Sequence, residues 1–373
     1  MKKNFTKQTN SMLRMAIMAV LVAVTQMAAF AQQTAEKSLH VYGVGFYNLE
    51  NMFDTIHDEG KLDEEYLPDG KNGWGTLKYE SKLQNMSRVL SDLATQMTMK
   101  SGLMTVCKSP AIIGLAEVEN RNVLTDLLRQ PALRDKGWEI IHEEGPDRRG
   151  IDCAFLYNPA IFHLQSHHLK PYVAEDGTDW SSRGFLIASG TLAGENISFI
   201  VNHWPSRGNV EQYRRWAGHQ LRQMIDSLFE ANPDEKVVIM GDLNDDPKNR
   251  SITDDLGAKH TAADCGPHDM YNPWWDTLYK GGQGTLLYDG KWNLFDQIMV
   301  SGNMLSTDGN KDNSSLRFRK NEIYLRNYLF ADEGKTKGAP KRTFASGVWL
   351  NGYSDHLPTQ IFLIKATETR SKQ

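Results

Sequence analysis

Residues 237–247 read VVIMGDLNDDP, an apolar run that stops on Asp242 and Asn244. A short β-branched run bounded by glycine and proline is a buried strand, and a carboxylate at its end sits where a sheet core meets solvent. The arrangement recurs. Asn48 follows the apolar residues 44–47, Glu117 closes 112–116, and Asn202-His203 closes 197–201. Asp296 opens 297–300, and Asp355-His356 precedes Leu357-Pro358. A single polar residue beside a strand caps a turn; several arriving from separate strands point to one convergent site at the rim of a sheet core.

Working outward, apolar patterning places strands at 41–49, 111–118, 138–142, 152–157, 185–192, 197–203, 237–241 and 294–300. Between them lie helical patterns, one through Leu83, Met86, Val89, Leu90, Leu93 and Met97, another through Tyr213, Trp216, Leu221, Met224, Ile225 and Leu228. Strands and helices interleave with no linker-like break. The expectation is one α/β or α+β domain over residues 38–366. The polar stretch 54–75 reads as a surface loop, although its acids Asp58, Asp63, Glu64 and Glu65 are calcium-ligand types without EF-hand spacing.

Residues 1–31 have a basic start, an apolar segment over 15–30 and small residues at Ala29 and Ala31, the pattern of a signal peptide. The segment is short for a membrane span, so the expected protein is exported, periplasmic or extracellular. Loss of Lys2, Lys3, Lys7 and Arg14 moves the net charge from −4 to −8. An acidic chain lacks the field of a non-specific nucleic-acid coat, so an anionic substrate must be drawn by local groups or by a metal. One basic stretch, 311–342, holds nine Lys or Arg against four Asp or Glu and reads either as a solvated loop or as a substrate-facing rim. Cys107, Cys153 and Cys265 have neither zinc nor disulfide-framework spacing.

Carboxylates with amide oxygens and no cysteine favour a hard cation, magnesium or manganese, with calcium a further possibility. Glu117 is the first ligand choice and Asp355 the second. Zinc on His203, His356 and a carboxylate is the alternative, without an HExxH pairing to support it. Among eleven histidines, His203 and His356 stand out by their strand-end positions. A histidine exchanging protons near neutrality needs a carboxylate to orient it, and Asp152 and Asp296 are candidates.

These residues fall in YNLENMFD, GLAEVEN, RRGIDCAFLYNP, VNHWPSR, IMGDLNDDP, KWNLFDQIMV and YSDHLP, which in this order resemble the motifs of the endonuclease/exonuclease/phosphatase superfamily over residues 46–358. The resemblance implies a four-layer αββα sandwich of two mostly antiparallel sheets, and metal-dependent hydrolysis of phosphate esters. It makes Glu117 the metal ligand with Asn48 and Asp355 nearby, and Asp242 with Asn244 the pair that positions water. It also implies that Asp296 supports His356, and that Asp152 pairs with His203 as in the secreted deoxyribonuclease branch. Phe295 stands where the family usually has isoleucine. Asn202 and Arg207 are expected near substrate, with Arg149 and Arg183 as further phosphate contacts; Trp204 reads as packing under the site or as a base-stacking platform.

The function expected is a secreted nuclease acting on DNA or RNA, with no protein partner and no stable membrane span. The alternatives are a phosphatase or phosphodiesterase for inositol phosphates or lipid head groups, and a non-catalytic binding protein.

Overall fold

Two six-stranded sheets carry the chain in the computed structural model, which describes residues 36–369 except 179, 289, 307–312 and 335. The expected signal peptide lies outside the described residues, as does the start of the basic stretch at Lys311. Residues His40–Lys365 form one compact unit; the described ends, 36–39 and 366–369, group apart from it. No helix among the described residues is long and apolar enough to cross a membrane.

In chain order the sheet strands are β1 (Glu36–Met52), β2 (Ile112–Val118), β3 (Glu139–His142), β4 (Asp152–Tyr157), β5 (Phe162–Lys170) and β6 (Phe185–Leu192). They continue with β7 (Glu195–His203), β8 (Lys236–Asp242), β9 (Met270–Tyr271), β10 (Asp296–Ser301), β11 (Arg317–Ile323) and β12 (Thr359–Thr369). One sheet has the order β11-β12-β1-β2-β4-β3, the other β9-β10-β8-β7-β6-β5. Each contains a parallel pair, β1 with β2 in one and β7 with β8 in the other. Parallel neighbours need a crossover, and α1 (Thr76–Asp92) and α3 (Glu211–Ala231) lie in those connections. A shorter helix, α2 (Arg121–Leu128), follows β2; the Asn120 side chain caps it, accepting from the amides of Asn122 at 2.9 Å and Val123 at 3.1 Å.

Side-chain alternation divides the second sheet cleanly. Phe199, Val201, Val238, Met240, Ile298 and Val300 enter the main core, whereas Ile200, Val237, Ile239 and Met299 enter a second core with Leu221, Met224 and Ile225 of α3. The sheets meet face to face at Gly114 of β2, where a Cβ would stand 2.5 Å from Met240 Sδ and 3.1 Å from Val201 Cγ2. Two packed sheets with helices outside make the expected α+β sandwich.

Three expectations change in detail. The first helix stops at Asp92 rather than running to Met97, because Ala94 turns left-handed at φ 58° and Met97 joins a short hairpin strand, Gln96–Met99. The 54–75 stretch is not simply a solvated loop: Trp74 and Asp63 are buried, and Tyr66 stacks on Phe53 at 4.3 Å. Strand β5 had no apolar pattern to reveal it, since most of this edge strand faces solvent.

Candidate active site

The parallel pairs decide where the chemistry goes. β1, β2, β7 and β8 bring Asn48, Glu117, His203 and Asp242 to or near their C-terminal ends, and antiparallel β10 begins on the same rim, with Asp296 opposite Asp242. Alternation points His203, Asp242 and Asp296 inward, two residues beyond or before Val201, Met240 and Ile298.

Glu117 reaches this rim by a different device. Opposite β4, Ala116 pairs with Cys153 and Val118 with Asp152, which leaves Glu117 as an extra residue in a bulge with φ 60°. One carboxylate oxygen, Oε2, accepts the amide of Asn51 at 2.8 Å. Its other oxygen, Oε1, receives Asn48 Nδ2 at 3.3 Å, and the same amide group donates to Asp242 Oδ2 at 3.0 Å. Asn48 therefore ties two carboxylates together, while its own oxygen accepts the Glu50 amide at 2.9 Å. Expected near the metal, beside its bound water or phosphate, Asn48 is fully buried and donates to the carboxylates around it.

The two histidines flank Asp242. His356 Nδ1 meets Asp296 Oδ2 at 2.7 Å, which leaves Nε2 facing Asp242 Oδ2 at 3.6 Å. His203 Nε2 lies 3.5 Å from the same oxygen and 3.9 Å from Glu117 Oε1. Burial, with Arg183, Arg149 and His356 nearby, holds His203 well below the usual imidazole range. Burial also opposes a charge on His356, but Asp296 and Asp242 outweigh it and raise that imidazole well above the range. Asp242 is pushed up to about 7, by burial first and then by Asp296 and Glu117 against the opposing pull of His356. Its Oδ1 is fixed by the Asn244 amide at 3.0 Å.

A cleft of about 340 Å³ opens over these groups. Glu117, Asp242, Asn244, His203 and His356 line it together with Arg148, Arg149, Arg183 and Trp180. Arg183 is buried and committed to Asp147 at 3.1 Å and to the Trp204 carbonyl at 2.8 Å. Arg149 is half-exposed and freer to meet a ligand. Asp355 stands beside the cleft with Oδ1 3.9 Å from His356 Nε2, its Oδ2 held by Arg342 at 2.9 Å.

Three expected roles need correction. Asp152 does not pair with His203. Cross-strand partners share a face, so Phe155 faces the other sheet with its partner Gly114, and Asp152 projects from the opposite face of β4. There it meets His142, Nε2 to Oδ2, at 3.4 Å. Asn202 neighbours inward-facing Val201 and His203 and so points away from the cleft, its Nδ2 bonded to the Met240 carbonyl at 2.9 Å. Arg207, exposed at the surface, is already engaged by the protein itself, with Asn244 O at 3.0 Å, Asp246 Oδ2 at 3.0 Å, Asn293 Oδ1 at 3.2 Å and the Phe295 ring 4.4 Å away. Trp204 is buried against the second core, and its carbonyl accepts Asn244 Nδ2 at 3.0 Å.

The donor set fits a hard divalent cation. Glu117, Asp242 and Asp296 crowd together, Asp296 Oδ1 is buried without a hydrogen-bond partner, and Asp242 is raised by burial first, with Asp296 and Glu117 adding to it. The Asp242, Asp296 and His356 donor atoms lie within 4.8 Å of one another. A two-sheet sandwich delivering this set to one rim is the architecture of metal-dependent phosphoric ester hydrolases.

The chain belongs to the endonuclease/exonuclease/phosphatase family, whose model matches residues 43–365, and is such a hydrolase. Solved structures share the fold at low identity. Bacteroides thetaiotaomicron mannosyl-6-phosphatase is 15% identical with TM-score 0.52, over 86% of this chain and 99% of that one. The human Nocturnin catalytic domain with bound sulfate is 15% identical with TM-score 0.52, over 89% and 97%. D. rerio TDP2 complexed with single-strand DNA product is 14% identical with TM-score 0.51, over 87% and 98%. No curated protein matches the sequence.

Proposed function

We propose that this protein is an exported, divalent-metal-dependent phosphodiesterase that hydrolyses DNA or RNA, using magnesium or manganese held at Glu117. The observation that carries this reading is the mixed lining of the cleft. Carboxylates that call for a cation and guanidinium groups line the same cleft, a combination suited to a phosphodiester. A bound cation there would supply Lewis acidity worth several kcal/mol to a phosphoryl oxygen. Asp242, fixed by the Asn244 amide, orients the attacking water. His356, steadied by Asp296, presents Nε2 to the phosphate, and His203 stands on the other side of Asp242. Arg149 forks onto the non-bridging oxygens. The D. rerio TDP2 complex with a DNA product supports a nucleic-acid substrate, and the pattern of residues 1–31 supports export.

A second reading, hydrolysis of small phosphate esters such as inositol phosphates or lipid head groups, is favoured by the acidic charge balance and the small cleft. Chelator-stripped protein with Mg²⁺, Mn²⁺ or Ca²⁺ should nick plasmid DNA or degrade RNA, and Glu117→Gln should not. Turnover of inositol phosphates or sphingomyelin alone would replace the nuclease reading. Inactivity on every phosphate ester would remove it. Fractionation of expressing cells tests export, which retention of an uncleaved chain in the cytoplasm would refute.

A further inference from the structure

A second cluster of ligand-type side chains lies on the face of β3 and β4 that points away from the cleft. His142 closes β3 opposite Ala154, which makes Asp152 its diagonal neighbour on the same face. His142 Nε2 and Asp152 Oδ2 stand 3.4 Å apart, both enclosed, and neither has a hydrogen-bond partner. Unmatched buried polar atoms are costly to folding, so the pair requires a reason.

An imidazolium donating to this carboxylate would close to roughly 2.7–2.9 Å, as His356 and Asp296 do at 2.7 Å. The wider spacing is that of two ligands on one tetrahedral ion: bonds of about 2.0–2.1 Å place an imidazole nitrogen and a carboxylate oxygen roughly 3.4 Å apart. The surroundings hold the donors in place. Asp152 Oδ1 accepts the Gly145 amide at 3.0 Å, which leaves Oδ2 aimed at the ring. Only glycine fits there, since a Cβ would stand 2.4 Å from Oδ1. From the solvent side Glu144 brings a carboxylate, and the donor atoms of the three residues lie within 4.8 Å of one another. Lys61, which reaches this turn from the 54–75 stretch, is already committed to the carbonyls of Gly145 and Asp147, both at 3.1 Å.

We infer that His142, Asp152 and Glu144 form a second metal site, for a transition ion of the zinc class, on the opposite face of the sheet from the catalytic carboxylates. Imidazole mixed with carboxylates suits zinc better than magnesium or calcium. An ion there clamps both ends of the 143–151 turn, which carries Arg148 and Arg149 to the cleft.

The test is equilibrium dialysis of the chelator-stripped full chain against Zn²⁺ alone, in saturating Mg²⁺, with bound zinc counted by elemental analysis. Wild type and Glu117→Gln should each retain a single zinc, and His142→Gln none. Glu144→Gln should bind about 10–100-fold more weakly. Should His142→Gln fail to fold by circular dichroism, the exposed Glu144 carries the test alone, and unchanged affinity in Glu144→Gln then overturns the site. Zinc absent from wild type, kept by folded His142→Gln, or lost in Glu117→Gln overturns it equally.

Discussion

Asp296→Asn isolates the carboxylate behind His356 with almost no change of shape. Asp296 is fully buried, and its Oδ2 receives His356 Nδ1 at 2.7 Å. The amide can meet the ring but carries no charge, and it can present a donor where the imidazole needs an acceptor. His356 then loses the partner that fixes which nitrogen faces Asp242. A positioned acid or base contributes about 10²–10⁴-fold, or roughly 2.7–5.5 kcal/mol of barrier. If Asp296 works only through His356, Asp296→Asn should lose most of that factor in kcat. His356→Ala should lose a similar factor, and the double variant little more. The assay is steady-state hydrolysis of a defined DNA or phosphodiester substrate at saturating metal, with thermal melting to verify folding. Multiplying losses in the double variant, or near-wild-type turnover by folded Asp296→Asn, would refute the dyad.

Asp152→Asn and His203→Ala should multiply in rate, within about a factor of two or three. Their recorded partners do not overlap: Asp152 meets His142 and Gly145, while His203 meets Asp242 and Glu117. A double variant no worse than either single one would restore the pairing that strand alternation forbids. Arg207→Ala should cost about 1–3 kcal/mol of stability by melting, because it strips partners from Asp246 and Asn293. Its KM should stay within about twofold, and a raised KM with an unchanged melting point would make Arg207 a substrate contact after all. Glu195 anchors Lys236, Lys365, Ser315 and the Leu316 amide; these bonds outweigh burial and lower its pKa to about 2. Its stabilisation is therefore present above the unfolded value near 4.5 and is lost as pH falls through about 2. The melting difference between wild type and Glu195→Gln should shrink across that window, and a constant difference would refute the linkage.

The parts of the fold legible in the sequence were those buried on both faces. β2, β7 and β8 read as continuous apolar runs because sheet packs them on one side and helix on the other. β5 was illegible because it is an edge, with His163, Gln165 and His167 open to water and no apolar period to display. Most of the site was legible for a related reason: a polar residue that ends a buried strand must emerge at the rim. What the motifs could not supply was the face. Val201 points inward, so Asn202 must point outward, and Cys153 against Asp152 follows the same rule; counting by twos along each strand held that signal. Arg207 was beyond such counting, because its partners Asp246 and Asn293 are neighbours only after β8 and β10 pair.

Four non-glycine residues at the rim hold left-handed backbone: Glu50 at φ 51°, Asn51 at 55°, Glu117 at 60° and Asn244 at 51°. Asparagine tolerates this region, but glutamate there costs about 1–3 kcal/mol. Glycine would relieve the strain at 117, so the carboxylate persists for what it does. The bulge explains the backbone: with regular alternation residue 117 would share the face of residue 115 rather than that of Gly114 and Ala116. Glu117→Gly should therefore leave the unfolding free energy of metal-free protein within about 1 kcal/mol of wild type, relieved strain and charge crowding offsetting the lost bonds to Asn48 and Asn51. Added Mg²⁺ or Mn²⁺ should raise the melting point of wild type and leave the variant unmoved. A large loss of stability in metal-free Glu117→Gly would show instead that the carboxylate holds the rim together, and that the strain at 117 is structural.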